Sequence, residues 1–390
     1  MRKREKSYMN NEIIIIGGNH HNMLGITRAL GENGLRVNLI VTNNNKYAFV
    51  VKSKYVKTYC IVKEDEKQIL DILENKYDKN KKSILLPTSD FAAYVIDKNL
   101  DKLRLKFIVP NINYKQSEII KYMNKYNQYI LAKKYNINMA KSVECDLENF
   151  EFLGNCYPYI VKPLESIDGE KNDITICKNK KELLKAIEEF RNKEYKKVII
   201  QEFIKYDKEI TLMGCIWEKK LILPGGVEKI RRFPKNKGNV SYGIVKPIEK
   251  IGVNIKPIEN LLKDINYNGM FDIEIFKIGK NFWLNEINFR NSGNSYVLTY
   301  KNIYLAYIYI LLIGNDELSN ININFFDEFH IRDEFLERNQ LLKKNISLKE
   351  YFNAKIKSKV GFIKNKKDRA PEYWKKIFAI LRRINKNEKE

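Results

Sequence analysis

Phe271-Asp272-Ile273-Glu274-Ile275-Phe276, a turn at Gly279-Lys280-Asn281, and Phe282-Trp283-Leu284-Asn285-Glu286-Ile287-Asn288-Phe289-Arg290 decide how this 390-residue chain is read. Asp272 and Glu274 alternate with Phe271, Ile273 and Ile275, so on a strand both carboxylates leave the same face. After the turn, Glu286 and Asn288 repeat the i, i+2 spacing, and Arg290 continues it. An antiparallel hairpin therefore gathers carboxylates, an amide and a guanidinium into one patch. Oxygen ligands of this kind suit Mg²⁺, which binds one or two carboxylates and completes its shell with water and substrate phosphates. The plainer alternative is a half-exposed hairpin with ordinary charged outer residues. Like charges side by side on a sheet repel, and that repulsion favours a cation between them.

Outward from the hairpin, residues 157–290 read mostly as strands: Tyr159-Ile-Val-Lys162, Asp173–Cys177, Val198–Ile204, Glu209–Trp217 and Lys220–Leu223, interrupted by a helix over Lys181–Asn192. Lys162 sits mid-strand among apolar residues, where a buried ammonium requires an anion. Lys125 falls on a helix or at its start. The segment 116–150 reads as helical with a short loop. Upstream, Glu12-Ile-Ile-Ile-Ile-Gly-Gly is a strand buried on both faces, Leu24–Leu30 a helix and Val37–Val41 a second strand. This βαβ opening continues through strands at Ser83–Pro87 and Phe107–Pro110, which places a parallel sheet over roughly 11–112. Gly17, Gly18 and Gly25 miss the G-x-G-x-x-G spacing, and Thr42-Asn-Asn-Asn stands where a ribose-binding acid belongs, so the pattern argues against an NAD site.

Composition narrows the classes further. Hydrophobic residues make up 44% of the chain, enough for a sizeable core. No apolar run reaches the ~20 residues of a bilayer span; the longest, Ile303–Gly314, reads as a buried helix. Five cysteines without a C-x-x-C pair and three histidines argue against a disulfide framework or a zinc site. A cytoplasmic protein is expected, with the inner face of the membrane as one location. The net charge of +23 admits nucleic acid, anionic membranes and polyphosphates as partners. No aromatic-interleaved RNA motif or recognition helix accompanies it, so no nucleic-acid partner is expected. The last fifty residues hold 16 Lys+Arg against 5 Asp+Glu. There Trp374, Ile377, Phe378, Leu381 and Ile384 form a stripe flanked by Lys375, Lys376, Arg382 and Arg383. Such a helix either lies on an anionic membrane through 372–384 or packs on the protein body.

Lys125, Lys162, Gln201-Glu202-Phe203-Ile204, Glu209, Glu274 and Glu286-x-Asn288-x-Arg290 resemble, in order and spacing, the ATP-grasp ligase superfamily. The twelve-residue interval from Glu274 to Glu286 and the Glu-x-Asn-x-Arg string are the specific parts. The resemblance spans roughly 10–315 and is nearest to carboxylate–amine ligases of the carbamoyl-phosphate-synthase and D-aspartate-ligase type. It implies a mixed α/β and α+β chain: a Rossmann-like parallel-sheet pre-ATP-grasp domain over 1–115, a two-lobed ATP-grasp domain over 116–315 with its hinge near 198–205, and a basic helical extension over 316–390.

The resemblance also implies roles. Lys125 and Lys162 contact ATP phosphates, Gln201–Ile204 form the adenine hinge, and Glu209 holds the ribose. Glu274, Glu286 and Asn288 bind two Mg²⁺ (Mn²⁺ as a substitute), and Arg290, with Lys162, stabilises the reacting anion. Asp272 is an additional metal ligand in some relatives. The expected reaction turns a carboxylate into an acyl phosphate that an amine attacks, joining an amino acid to a cell-envelope, glycan or peptidoglycan precursor. Bicarbonate activation is the alternative chemistry. Arg231 and Arg232, in a basic stretch read as a loop over 228–238, and Asn291 and Ser292 are candidates for gripping the second substrate. The segment Leu164–Lys171 departs from the family's glycine-rich flap by having one glycine.

Overall fold

The computed structural model describes residues 11–44, 46–77, 82–152, 154–165, 173–235, 238–318 and 326–387, with side chains through Leu381. Strands β1 (Ile13–Gly18), β2 (Val37–Thr42), β3 (Val56–Val62), β4 (Ser83–Pro87) and β5 (Phe107–Ile108) form a parallel sheet in the order β3-β2-β1-β4-β5. Helices α1 (His21–Gly31), α2 (Glu66–Lys76), α3 (Asp90–Lys98) and α4 (Leu100–Leu103) connect them. The apolar run of β1 is buried on both faces: Ile13 and Ile15 pack with α1, whereas Ile14 and Ile16 pack with α2 and α3. At the end of β1, a side chain on Gly17 would collide with Thr88 Oγ1, so the turn requires glycine.

A second, antiparallel sheet has the order β7-β10-β8-β9, built from β7 (Ser142–Asp146), β8 (Tyr159–Pro163), β9 (Thr175–Cys177) and β10 (Lys197–Glu202). Strand β6 (Asn111–Ile112) and helices α5 (Glu118–Met123) and α6 (Lys125–Lys134) precede it. Helix α7 (Lys180–Asn192) covers it through Leu183, Ala186, Ile187 and Phe190. β7 lies where the sequence suggests only helix and loop.

The third sheet runs β15-β14-β11-β12-β13-β16-β17. Its strands are β11 (Lys208–Trp217), β12 (Lys220–Phe233), β13 (Asn239–Pro247), β14 (Tyr267–Ile278), β15 (Asn281–Asn288), β16 (Phe329–Arg332) and β17 (Ser358–Gly361), with α8 (Ile248–Ile251) and α9 (Lys256–Asp264) between β13 and β14. The stretch expected as a basic loop over 228–238 is largely strand: β12 continues to Phe233. Its charges are matched, with Lys208 and Lys246 on Glu228 across the sheet and Arg231 on Glu337 of the helix that follows β16. Charge therefore marks paired strand residues here and not a solvated loop. Helix α10 (Leu305–Ile313) is the long apolar run, and all of it but Tyr307 is buried. Among the described residues no single helix is long and apolar enough to cross a membrane.

The segment 316–390, expected to be helical, contains two strands as well as α11 (Glu334–Leu342), α12 (Leu348–Lys357) and α13 (Ala370–Asn387). β16 pairs with β13, and β17 with β16. The tail is fastened to the first sheet's domain by a buried pair: Arg28 Nε lies 2.9 Å from Asp368 Oδ2, and its Nη2 donates to Asp368 O. The α13 stripe turns partly inward, since Phe378 is buried against Tyr47 and Trp374 and Leu381 packs on the core. Of the two fates expected for 372–384, these side chains adopt packing on the body. The side chains of Arg382, Arg383 and Ile384 lie outside the described residues, as does Ser166–Lys171 of the flap.

Candidate active site

The register of β14 and β15 sets the site. Asp272 faces Asn288 and Glu274 faces Glu286 across the strand pair. A bulge at Asn285 follows, and Asn285 Nδ2 reaches Glu274 Oε2 at 3.2 Å. The four polar groups expected on one face are therefore on one face, but they divide into two clusters.

The first cluster lines a cavity of about 330 Å³ between the second and third sheets. Lys162 enters from β8 and Lys125 from the first residue of α6, whose preceding Asn124 caps the helix through its side chain. The Lys125 amide is held to Leu164 O at 3.1 Å, which ties the helix start to the end of β8. Lys162 Nζ donates to Gln201 Oε1 at 3.0 Å. Burial, reinforced by the neighbouring Lys125, pushes the Lys162 ammonium down to about 8, against the opposing pull of Glu286 and Glu274. Gln201 is itself positioned by donating to Ser142 Oγ. The apolar lining comes from Ile160, Ile174, Ile176, Phe203, Ile204 and Phe276. Tyr206 stacks flat on Phe276, with centroids 4.2 Å apart. The N–H groups of Glu202 and Phe203 already donate to Lys141 O and Pro158 O, so these two hinge amides serve the sheet.

Glu209 lies in this cavity but is nearly enclosed. It accepts from Lys229 Nζ at 2.6 Å and lies 2.5 Å from Arg232 Nη1. Lys229 also donates to Glu274 Oε1 at 3.0 Å. Both carboxylates hold the buried Lys229 ammonium well above the usual lysine range. Lys229 was not among the residues expected here. Its signal in the sequence, a lysine alternating with Glu228 and Ile230 on a strand, is hidden by the charged run around it. Tyr206, Phe276 and Asn285 were likewise missed.

The second cluster lies beside the cavity. Asn288 Nδ2 donates to Asp272 Oδ1 at 2.7 Å, and Arg290 Nη1 donates to Asp272 Oδ2 at 3.3 Å. Arg290 Nε donates to Asp90 Oδ1 at 2.8 Å, at the start of α3 in the first sheet's domain. Burial raises the Asp272 carboxyl, while Asp90 and Asp272 raise Arg290. Asp272 is thus committed to Asn288 and Arg290, and Asn288 is left with its amide oxygen to offer a cation. Asp90 is a partner that the sequence did not reveal.

Of the four expected substrate residues, three sit elsewhere and Arg232 lines the cavity. Arg231 is bound bidentately by Glu337, with Nη2 at 2.6 Å from Oε2, and stacks over Tyr242. It joins β12 to α11 and does not line the cavity, whereas Arg232 lines it while bound to Glu209. Asn291 and Ser292 are almost fully buried. Asn22 Nδ2 donates to Asn291 O and to Thr88 O, both at 2.9 Å, and Asn291 Nδ2 returns a bond to Asn22 Oδ1. Asn22 and Asn291 thus clamp the first sheet's domain onto the segment after β15, and Ser292 is buried beside them, accepting from the Asn294 amide.

Among the described residues, no three His, Cys, Asp or Glu side chains converge as a metal cage. The directly opposed Glu274 and Glu286 fit Mg²⁺ in the manner that leaves remaining positions to phosphate oxygens and water.

Comparisons with known proteins bear on the fold. Residues 130–302 match the family model of the ATP-grasp domain. The fold is similar to that of the N5-carboxyaminoimidazole synthetase from Staphylococcus aureus complexed with ADP (16% identity, 88% of each chain covered, TM-score 0.65). It is also similar to the L-amino acid ligase from Bacillus licheniformis (16% identity, 82% of this chain and 79% of that one, TM-score 0.60). A third likeness is to the biotin carboxylase domain of Hydrogenobacter thermophilus 2-oxoglutarate carboxylase in complex with MgADP, ADP and bicarbonate (16% identity, 82% and 73% covered, TM-score 0.65). No curated protein matches the sequence. The parallel sheet, the two largely antiparallel sheets and the cavity between them place this chain among proteins of ATP-grasp fold, with residues 130–302 matching the ATP-grasp domain model.

Proposed function

We propose that this chain is an ATP-dependent carboxylate–amine ligase. The observation that carries the reading is the cavity that brings the opposed pair Glu274 and Glu286 together with Lys125, Lys162 and an apolar slot. The slot formed by Ile160, Ile176, Phe203 and Phe276 matches a flat adenine ring, and the lysines match phosphate oxygens. Glu274 and Glu286, with the Asn288 amide oxygen, would hold Mg²⁺, which would supply charge neutralisation to the phosphates. One substrate carboxylate oxygen bonds to the γ-phosphorus while ADP leaves. The amine nitrogen then bonds to the acyl carbon, phosphate departs, and the amine loses a proton. Lys125 and Lys162 bind and orient the phosphates, and their charge is strongest where water is excluded. Arg290, locked between Asp90 and Asp272, presents a fixed cationic edge beside the carboxylate pair.

A second cavity of about 310 Å³ supports a separate acceptor site. It is lined by Asn19, His20, His21, Asp333 and Lys375, and shares Asn239 with the nucleotide cavity. It opens where β1 ends, the usual position for a ligand in an open parallel sheet. Lys375 and Asp333 offer opposite charges, which suits an amino acid or an acidic envelope precursor. The test is ADP release with Mg²⁺ across amino acids, uronic acids and peptidoglycan precursors, with bicarbonate as a separate arm. ADP release that requires both an acid and an amine supports ligation; release with bicarbonate alone replaces it with carboxylation. Glu286→Gln should abolish turnover, and normal turnover in that variant would sink the metal assignment.

A further inference from the structure

We propose that α12 seats this protein on an anionic lipid surface. Leu348, Phe352 and Ile356 recur at i, i+4 and i+8 along the helix and are 63%, 50% and 76% exposed. Only Ala354 of α12 is buried, and half-buried Tyr351 completes its contact with the body, beneath the Arg332 guanidinium. The stripe therefore points away from the core and spans about 12 Å at 1.5 Å per residue. Isolated exposed apolar residues are ordinary, but a continuous stripe on one helix face marks a contact surface.

The charge around the stripe selects the occupant. Between Lys343 and Lys359 six lysines stand against the single Glu350. Glu350 is committed to the Ser347 capping box, in which its carboxylate accepts from the Ser347 amide and hydroxyl. Lys355 lies over the Phe352 ring, its ammonium 5.8 Å from the centroid, so the cation sits beside the apolar face. A second copy of this chain would set its own Lys349 and Lys355, which flank the stripe at helical spacing, against those of the first and be repelled. An anionic bilayer satisfies both parts at once: the apolar side chains enter the acyl boundary while lysines meet headgroup phosphates. This surface is distinct from the α13 stripe, whose Phe378 and Leu381 are used in packing. The inference does not depend on the reaction assigned to the cavity.

The full chain is tested by co-sedimentation with vesicles of phosphatidylcholine alone and of phosphatidylcholine with 30% phosphatidylglycerol. Binding is expected only to the anionic vesicles and should weaken steeply with salt. The triple variant Leu348→Ser, Phe352→Ser, Ile356→Ser should lose at least tenfold in partitioning. Its thermal midpoint should fall by no more than a few degrees, because these side chains are largely exposed. Absence of binding to the anionic vesicles, or equal binding by the triple variant, overturns the proposal. A dimer that dissociates in the triple variant also overturns it, by assigning the stripe to a second copy.

Discussion

Lys229 offers the sharpest test of the cavity's electrostatics. Its ammonium bridges Glu209 at 2.6 Å and Glu274 at 3.0 Å, with side-chain exposures of 8%, 5% and 26% for the three residues. Lys229→Met removes the cation, keeps most of the volume, and leaves two carboxylates facing each other. Each contact is worth roughly 5.5–6.5 kcal/mol of Coulomb energy at an effective dielectric of about 20, before desolvation is subtracted. Breaking a buried pair by deleting one partner typically costs about 3–5 kcal/mol. Two features moderate this. Glu209 keeps Arg232 and Tyr206, and Glu274 is partly solvated and keeps Asn285. A net loss of about 2–4 kcal/mol is expected. At roughly 2–4 °C per kcal/mol for a cooperative unit of 150–250 residues, a loss of about 3 kcal/mol lowers the thermal midpoint by about 6–12 °C.

The double variant Lys229→Met, Glu274→Gln separates charge from packing. If the destabilisation is the uncompensated carboxylate, the glutamine should restore at least about 1 kcal/mol, within the range of coupling energies for residues in contact. Millimolar Mg²⁺ should stabilise Lys229→Met more than the parent, because Glu274 then has no competing ammonium. Differential scanning calorimetry of the four proteins, with and without Mg²⁺, measures both effects. A single variant within about 0.5 kcal/mol of the parent, or strict additivity in the double variant, refutes the reasoning.

Lys162 predicts a pH dependence of nucleotide binding. Its ammonium is pushed down to about 8 by burial, so it is charged below that pH and neutral above it. Phosphates prefer the charged form, so the dissociation constant for ADP should be flat below about pH 7 and about doubled by pH 8, where half the ammonium is lost. It should then rise towards tenfold per pH unit, as calorimetric titration would show. Lys162→Arg should abolish the break, since a guanidinium stays protonated; a flat parental profile refutes the assignment. The buried Arg28–Asp368 pair predicts that Arg28→Met loosens the tail at a cost of about 3–5 kcal/mol. Limited proteolysis should then cut beyond Gly361 faster than in the parent, and unchanged cleavage counts against a fastening role.

The sequence makes local geometry legible and hides partners that lie far along the chain. Alternation alone places Asp272 with Glu274 and Glu286 with Asn288, and the observed register opposes them as expected. The four isoleucines of β1 disclose a strand covered on both faces. Arg231 and Arg232 look alike in the sequence, one residue apart and equally charged. What separates them is Glu337, 106 residues beyond Arg231, and Glu209, which lies on another strand. Asn291 follows the Glu-x-Asn-x-Arg string and suggests a substrate pocket, yet its partner Asn22 is 269 residues away. The four-residue strands β16 and β17 are too short to show a period, so their pairing exists only in the fold.

The balance of charge in the cavity bears on why the protein is so basic. Among the described residues, Lys125, Lys162, Lys229 and Arg232 line it together with Glu202, Glu209, Glu274 and Glu286, four cations against four anions. These eight side chains sum to formal neutrality and by themselves carry no electrostatic excess with which to hold a triphosphate. A divalent cation on Glu274 and Glu286 would change that, since it competes for the carboxylate that now binds Lys229 and frees that ammonium to face an anion. Metal and nucleotide should therefore bind with positive coupling, each raising the affinity of the other by the same factor. The surplus of +23 plays no part in this balance. Nearly half of it lies in the last fifty residues, where Lys343–Lys359 surround the exposed stripe of α12. Reversing that surface charge should leave nucleotide affinity unchanged while abolishing any attraction to an anionic surface.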